Sequence, residues 1–164
     1  MRRDQEFSEF FAARGPALRR TAYLILRDWH LAEDVTQQAF AKVYVAWPRI
    51  RRETRDAYAR KAVVNTALSQ ARRRSERPVA DPPDTLVAAP ADPALDIAHA
   101  LGLLPERQRA IVALRFLDDQ PIAEVARILG VAEGTVKSQT ARALDTLRTH
   151  LPELVPEFTT EESR

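Results

Sequence analysis

The stretch "GVAEGTVKSQTARALDTLR", residues 130–148, decides the fold of the C-terminal part of this chain. At about 100° per residue, Val136, Thr140, Ala143, Leu144, Leu147 and Leu151 fall on one stripe, while Gly134, Lys137, Ser138, Ala141, Arg142 and Asp145 lie roughly opposite. One face is apolar; the other is short, mixed in sign and rich in hydrogen-bonding groups. Such a face on a lone helix usually just meets water, so the neighbouring sequence has to decide its use. Immediately upstream, "QPIAEVARILGV" repeats Ile122, Val125, Ala126 and Leu129 at helical spacing, and Gly130 can end that helix with positive φ. Two helices joined by so short a turn must cross steeply. Ala126 is small enough to let the second helix approach, and Val131 and Val136 fill the angle between them. This is the sequence form of a helix-turn-helix, whose second helix enters the DNA major groove with its N-terminal residues against base edges. Lys137, Ser138 and Arg142 suit that task, since Lys or Arg donates to guanine O6 and N7 and Ser bonds either way. A purely structural helical hairpin is the competing interpretation.

Composition narrows the classes. A chain of 164 residues suffices for one ordinary domain or two small ones, and 45% apolar with 29% charged residues belongs to a soluble globular protein. No apolar run approaches the roughly 20 residues of a membrane span. The N-terminal "MRRDQEFSEF" lacks the apolar core of a signal peptide, so a cytoplasmic location without membrane contact is expected. The lack of cysteine excludes disulfides, thiol nucleophiles and cysteine-ligated zinc. His30, His99 and His150 are too scattered for a metal cluster, and no paired acids carry metal-ligand spacing. Neither a cofactor nor an enzymatic activity, such as that of a nuclease, is expected.

The net charge of +2 conceals a strong asymmetry. From Arg49 to Arg77 ten Lys or Arg face only Glu53, Asp56 and Glu76, whereas Pro78 to Ala100 holds four Asp and no Lys or Arg. A dense arginine block on a helix is the electrostatic footprint of phosphate contacts, although adjacent basic and acidic blocks can also be two solvated surfaces. The segment Arg77 to Asp96 carries five of the eleven prolines and little apolar periodicity, which predicts an extended linker. Two helical modules flank it. The N-terminal one begins with Phe7, Phe10 and Phe11, is expected to break at Gly15-Pro16, and resumes through Leu18, Ala22, Ile25 and Leu26. A long helix follows with Leu31, Val35, Ala39, Val43 and Ala46 on one face, stopped by Pro48; another starts near Thr54, a candidate N-cap, and runs into the arginine block. The C-terminal module opens with a short helix from about Leu95 to Leu101, then one begun by Pro105 with Ile111, Leu114 and Phe116, then the helix-turn-helix. No strand is predicted.

Three segments, in this order, resemble the extracytoplasmic-function sigma factors of bacterial RNA polymerase, and specifically a small subgroup common in actinobacteria. "HLAEDVTQQAFAKVY" resembles the part of sigma domain 2 that docks on polymerase, and "AYARKAVVNTALSQARRR" the part that melts and reads the −10 element. "LPERQRAIVALRFLDDQPIAEVARILGVAEGTVKSQTARAL" resembles sigma domain 4. The resemblance implies that Asp34, Gln37, Gln38 and Phe40 lie on or beside the polymerase-binding face. Spacing agrees independently that Asp34, Gln37, Gln38 and Ala41 share a face opposite the apolar stripe. It further implies that Asn65 sits in a loop that captures a flipped −10 base, and that Arg60, Lys61, Arg72, Arg73 and Arg74 meet phosphates. At the −35 element Lys137, Ser138 and Arg142 match base-reading positions, with Gln139 on the flank nearer the DNA backbone. Three positions depart from the pattern. Ala132 replaces a frequent Ser at the start of the recognition helix, a lost cap worth about 0.5–2 kcal/mol that Glu133 partly offsets through the helix dipole. Gln70-Ala71 replaces a pair of tryptophans, and Gln38 a frequent Glu.

These observations give an all-α chain of two small helical domains. Residues 1–77 correspond to sigma domain 2, residues 78–94 to a Pro- and Asp-rich linker, residues 95–151 to sigma domain 4 and residues 152–164 to an acidic tail. The expected partners are core RNA polymerase and promoter DNA, with room for an anti-sigma protein. A stand-alone helix-turn-helix regulator would need only the C-terminal module and leaves the Asp34–Phe40 face and the Asn65 segment unexplained. A decoy that occupies polymerase without initiating would not need the DNA-reading residues.

Overall fold

A computed structural model describes residues 2–76 and 99–150, and the chain divides into two compact units, Met1–Thr85 and Leu86–Arg164. The described residues form helices and turns and no strand. The linker at 78–94, the start of the short helix at Leu95, Leu151 and the tail at 152–164 lie outside the described residues.

The first unit is a bundle of α1 (Arg2–Leu26), α2 (Trp29–Ala46) and α3 (Arg55–Glu76), each packed against the other two. Their apolar stripes meet in a core of Leu18, Ala22, Ile25, Val35, Ala39, Val43, Val63, Val64 and Ala67. Contrary to the expected break, α1 runs unbroken through Pro16. Proline there removes one helical hydrogen bond, to the carbonyl of Ala12. Ala12 and Pro16 both face solvent, so water can serve that carbonyl while Gly15 and Leu18, on the inner side, keep the helix seated. The turn into α2 is two residues long. Arg27 closes α1 in the left-handed region at φ 59° with its N–H on the Tyr23 carbonyl, and Asp28 caps α2 by accepting from the Leu31 N–H at 3.1 Å. Tyr23 stacks on Trp29 across the same corner, ring centroids 3.8 Å apart.

At the other end of the bundle, Phe7, Phe10 and Phe11 share one face of α1 and close on Phe40, Tyr44 and Trp47. Trp47 is boxed by Phe7 at 5.4 Å and Phe10 at 5.3 Å, and the Arg55 guanidinium lies over its ring at 3.9 Å. Trp47 and Pro48 convert the end of α2 into a 3₁₀ turn, Trp47–Arg49; a second 3₁₀ turn, Arg52–Thr54, feeds directly into α3. Thr54 therefore does not act as the expected N-cap: its hydroxyl donates backwards to the Arg51 carbonyl at 3.0 Å.

In the second unit a helical turn ends at Leu101, and Leu101 and Leu104 are buried. Then come α4 (Glu106–Val112), a widened π turn (Ala113–Leu117), α5 (Ile122–Leu129) and α6 (Glu133–His150). Pro105 immediately precedes α4, as its sequence position suggested. The glycine turn is as the sequence requires. Gly130 takes φ 66° and ψ 37°, and its N–H and that of Val131 both bond the Ala126 carbonyl. The buried stripe of α6 is Val136, Thr140, Ala143, Leu144 and Leu147, as its periodicity predicts. Helix α5 departs from its predicted stripe: Ile128 is buried with Val125 and Ala126, while Ile122 and Leu129 are half-buried. It packs against both α6 and the π turn, so burial extends over two flanks rather than one.

Ala132 occupies the N-cap position of α6, its carbonyl accepting from Thr135 and Val136 at 3.0 and 3.2 Å, with no side chain to meet the first amides. Ala132→Ser is expected to raise the stability of the second unit by about 0.5–2 kcal/mol, read as a higher urea midpoint at unchanged m-value.

Candidate nucleic-acid interface

Burying one stripe of α6 leaves Gly134, Lys137, Ser138, Ala141, Arg142 and Asp145 exposed together, all on the face that the sequence set opposite the core. Lys137, in the second turn of the helix, and Arg142, at its middle, both project from this face. In this state the Ser138 hydroxyl rests on the Thr135 carbonyl at 3.1 Å. Gln139 sits half-buried on the flank, where its carbonyl accepts from the Gln108 amide of α4 at 2.9 Å. The arrangement presents cationic donors in the middle and an amide at one edge, which suits a duplex groove bordered by phosphates.

The polar face of α3 is longer. Tyr58, Lys61, Asn65, Ser69 and Arg72 recur at i, i+3, i+7, i+11 and i+14, and all are exposed. Asn65 thus stands in the middle of a helix and not in a loop, displaying its amide among cations. On α2, Asp34, Gln37, Gln38 and Ala41 are exposed on one face, as their spacing predicted.

Comparison with known proteins places the chain in a family. Residues 10–77 match Sigma-70 region 2, and residues 94–147 match Sigma-70, region 4. The RNA polymerase sigma-E factor of Streptomyces coelicolor is 36% identical over 153 residues, covering 89% of this chain and 86% of that protein. The ECF RNA polymerase sigma factor SigM of Mycobacterium tuberculosis is 34% identical over 142 residues, covering 84% and 72%. The chain belongs to the extracytoplasmic-function sigma factors. As such it is an alternative sigma factor, a subunit that directs promoter-specific initiation of transcription. Its fold is also that of the sigma factor RpoE solved in complex with the anti-sigma factor NepR from Bartonella quintana. The TM-score is 0.73 at 24% identity, over 92% of this chain and 99% of that one. No described helix is long and apolar enough to cross a membrane.

The structure sorts the expected contact residues of this sigma factor. Lys61, Asn65, Arg72, Arg73, Lys137, Ser138 and Arg142 are exposed. Arg60 is not: it is 6% exposed and ion-paired at 2.8 Å to Asp56, which also holds Arg14 of α1. Arg74 is half-buried and donates to the Leu26 carbonyl at 3.1 Å, closing the C-terminal end of α1. These two arginines brace the bundle, while Lys61, Arg72 and Arg73 remain exposed. Phe40 is 2% exposed within the aromatic cluster, so it supports the α2 face from beneath.

Two features escaped the sequence. Tyr58, 42% exposed, shares the Asn65 face and offers an aromatic ring on which an unpaired base can stack; an aromatic side chain seven residues before Asn65 was the signal. Arg49 and Arg51 are exposed in the α2–α3 connection; they were counted in the basic block but not singled out.

Arg60→Ala is expected to destabilise the first unit by about 1–3 kcal/mol, because it removes a buried guanidinium together with its packing and its ion pair to Asp56, whereas Lys61→Ala stays within about 0.5 kcal/mol. Urea denaturation of the two variants side by side checks the sorting.

Proposed function

We propose that this sigma factor docks on core RNA polymerase through Asp34, Gln37 and Gln38, with Phe40 shaping the face from behind. It reads the −35 duplex with Lys137, Ser138 and Arg142, Gln139 standing at the edge. It holds the opened −10 strand with Asn65, while Lys61, Arg72 and Arg73 contact phosphates. Residues 1–77 serve as sigma domain 2, residues 78–94 as linker, residues 95–151 as sigma domain 4 and residues 152–164 as tail. The protein acts by binding alone, without catalysis or cofactor, in the cytoplasm where polymerase and promoters are found. Because a protein of the same fold was solved with an anti-sigma factor bound, we include such a protein among its partners.

The observation that supports this most strongly is the α3 face, where Tyr58, Lys61, Asn65 and Arg72 are aligned and exposed. A duplex hides base faces and Watson–Crick edges; a melted strand offers both. An aromatic ring beside an amide, flanked by cations, is suited to the melted strand. A stand-alone helix-turn-helix regulator is not favoured, since it accounts for α6 and leaves this face and the region 2 match without a task.

Two substitutions separate the steps. Arg142→Ala is expected to lose about 1–3 kcal/mol of discrimination between −35 sequences, measured as holoenzyme affinity for matched and mutated promoters. An equal loss on every sequence would make Arg142 a phosphate contact. Asn65→Ala is expected to leave closed-complex affinity nearly unchanged and to reduce promoter opening, read as the permanganate reactivity of −10 thymines.

A further inference from the structure

A free glutamine side chain can pair bidentately with adenine, donating to N7 and accepting from N6. Gln139 is not free in this sense. Its carbonyl oxygen is already engaged by the Gln108 amide at 2.9 Å, on the half-buried flank of α6 that faces α4. With its oxygen turned to Gln108, the end of the amide left away from that partner is the NH₂ group, which donates and cannot accept. We infer that the Gln108–Gln139 pair fixes the polarity of Gln139, so that it meets promoter DNA through its NH₂ donor and contacts a backbone phosphate beside the Arg142 site. Gln108 is the positioning residue: it touches no DNA and sets which end of the Gln139 amide points outward.

Chemistry and place agree on the phosphate. Phosphate oxygens only accept, so they match an amide presented through nitrogen. Gln139 also lies at the margin of the exposed face, away from its centre at Ser138. Phosphate contacts fix the register of a helix in the groove without reading sequence. Gln139 thereby sets how Arg142, three residues on, approaches its base. A neutral amide on a phosphate releases no counterion, so its removal should leave the salt dependence of binding nearly unchanged.

The inference rests on α6 reading the −35 duplex, and the test separates the two. Holoenzyme assembled from core polymerase and the full chain is titrated on a set of promoters that differ only in the −35 element. The variants are Q139A, Q108L and the double variant Q108L/Q139A, all uncharged at the altered positions. Q108L leaves the Gln139 carbonyl without its partner and free to turn toward the phosphate; Q139A removes the amide. Each single variant is expected to weaken binding about three- to tenfold, equally across the promoters and with an unchanged salt slope. Adding Q108L to Q139A should cost nothing further, because Gln108 acts only through Gln139. The proposal is overturned if Q108L is neutral while Q139A is not, if the Q108L loss persists in the double variant, or if the losses depend on one base. Retained discrimination among −35 elements by the wild-type chain in those cases shows that only the polarity of Gln139 was misassigned. If wild type itself ignores the −35 sequence, the assignment of α6 fails, and this proposal with it.

Discussion

Trp47 is the point on which the first unit depends. It caps the C-terminal end of α2, is 3% exposed, and receives Phe7 and Phe10 from α1 and the guanidinium of Arg55 from the first turn of α3. One side chain therefore ties the start of α1, the end of α2 and the start of α3. A cation laid on an indole face is favourable when water is displaced, provided its charge is also answered. Here Glu6 answers it, with a carboxylate oxygen 3.6 Å from Arg55. With these three ends fixed, the rotation of α2 and α3 about their axes is fixed too. The Asp34–Gln38 face and the Tyr58–Arg72 face then point outward because the opposite sides are filled.

The same constraint explains why a run of basic residues is not a uniform basic surface. Arginine has a long apolar stem and a planar fork of donors, so it can brace a bundle as readily as it can meet a phosphate. Arg55, Arg60 and Arg74 take the first role, bonded to a tryptophan face, a carboxylate and a helix-end carbonyl respectively. Lys61, Arg72 and Arg73 point outward. Bracing and exposed cations share α3, and the exposed Lys61 and Arg72 lie on the face of Asn65. In the second unit the glycine turn has the equivalent role: Gly130, at φ 66°, sets the crossing that leaves Lys137 and Arg142 projecting.

Much of this was legible in the sequence because it follows from periodicity. The buried stripe of α6, the exposed quartet on α2 and the glycine turn each follow from spacing and residue type. What was hidden depended on partners distant in sequence. Arg60 belongs to the same arginine block as Lys61, and only Asp56 with Arg14 of another helix shows that it faces inward. Phe40 lies near the polar quartet in sequence, and only the phenylalanines of α1 draw it into the core. Pro16 is a helix breaker by local propensity, yet tertiary packing of Gly15 and Leu18 outweighs one lost hydrogen bond. Tyr58 gave a weak signal because an aromatic residue at helical spacing is more often buried than displayed.

The central claim is that two small helical units act together, through polymerase, on two separate promoter elements. Transcription from a fragment library of the source genome, by purified core RNA polymerase with and without this chain, tests it most directly. The account predicts discrete new start sites whose upstream sequences align into −35 and −10 elements. No new starts, together with tight binding of the chain to DNA in the absence of polymerase, would contradict it and remove the roles assigned to Asp34, Gln37 and Asn65.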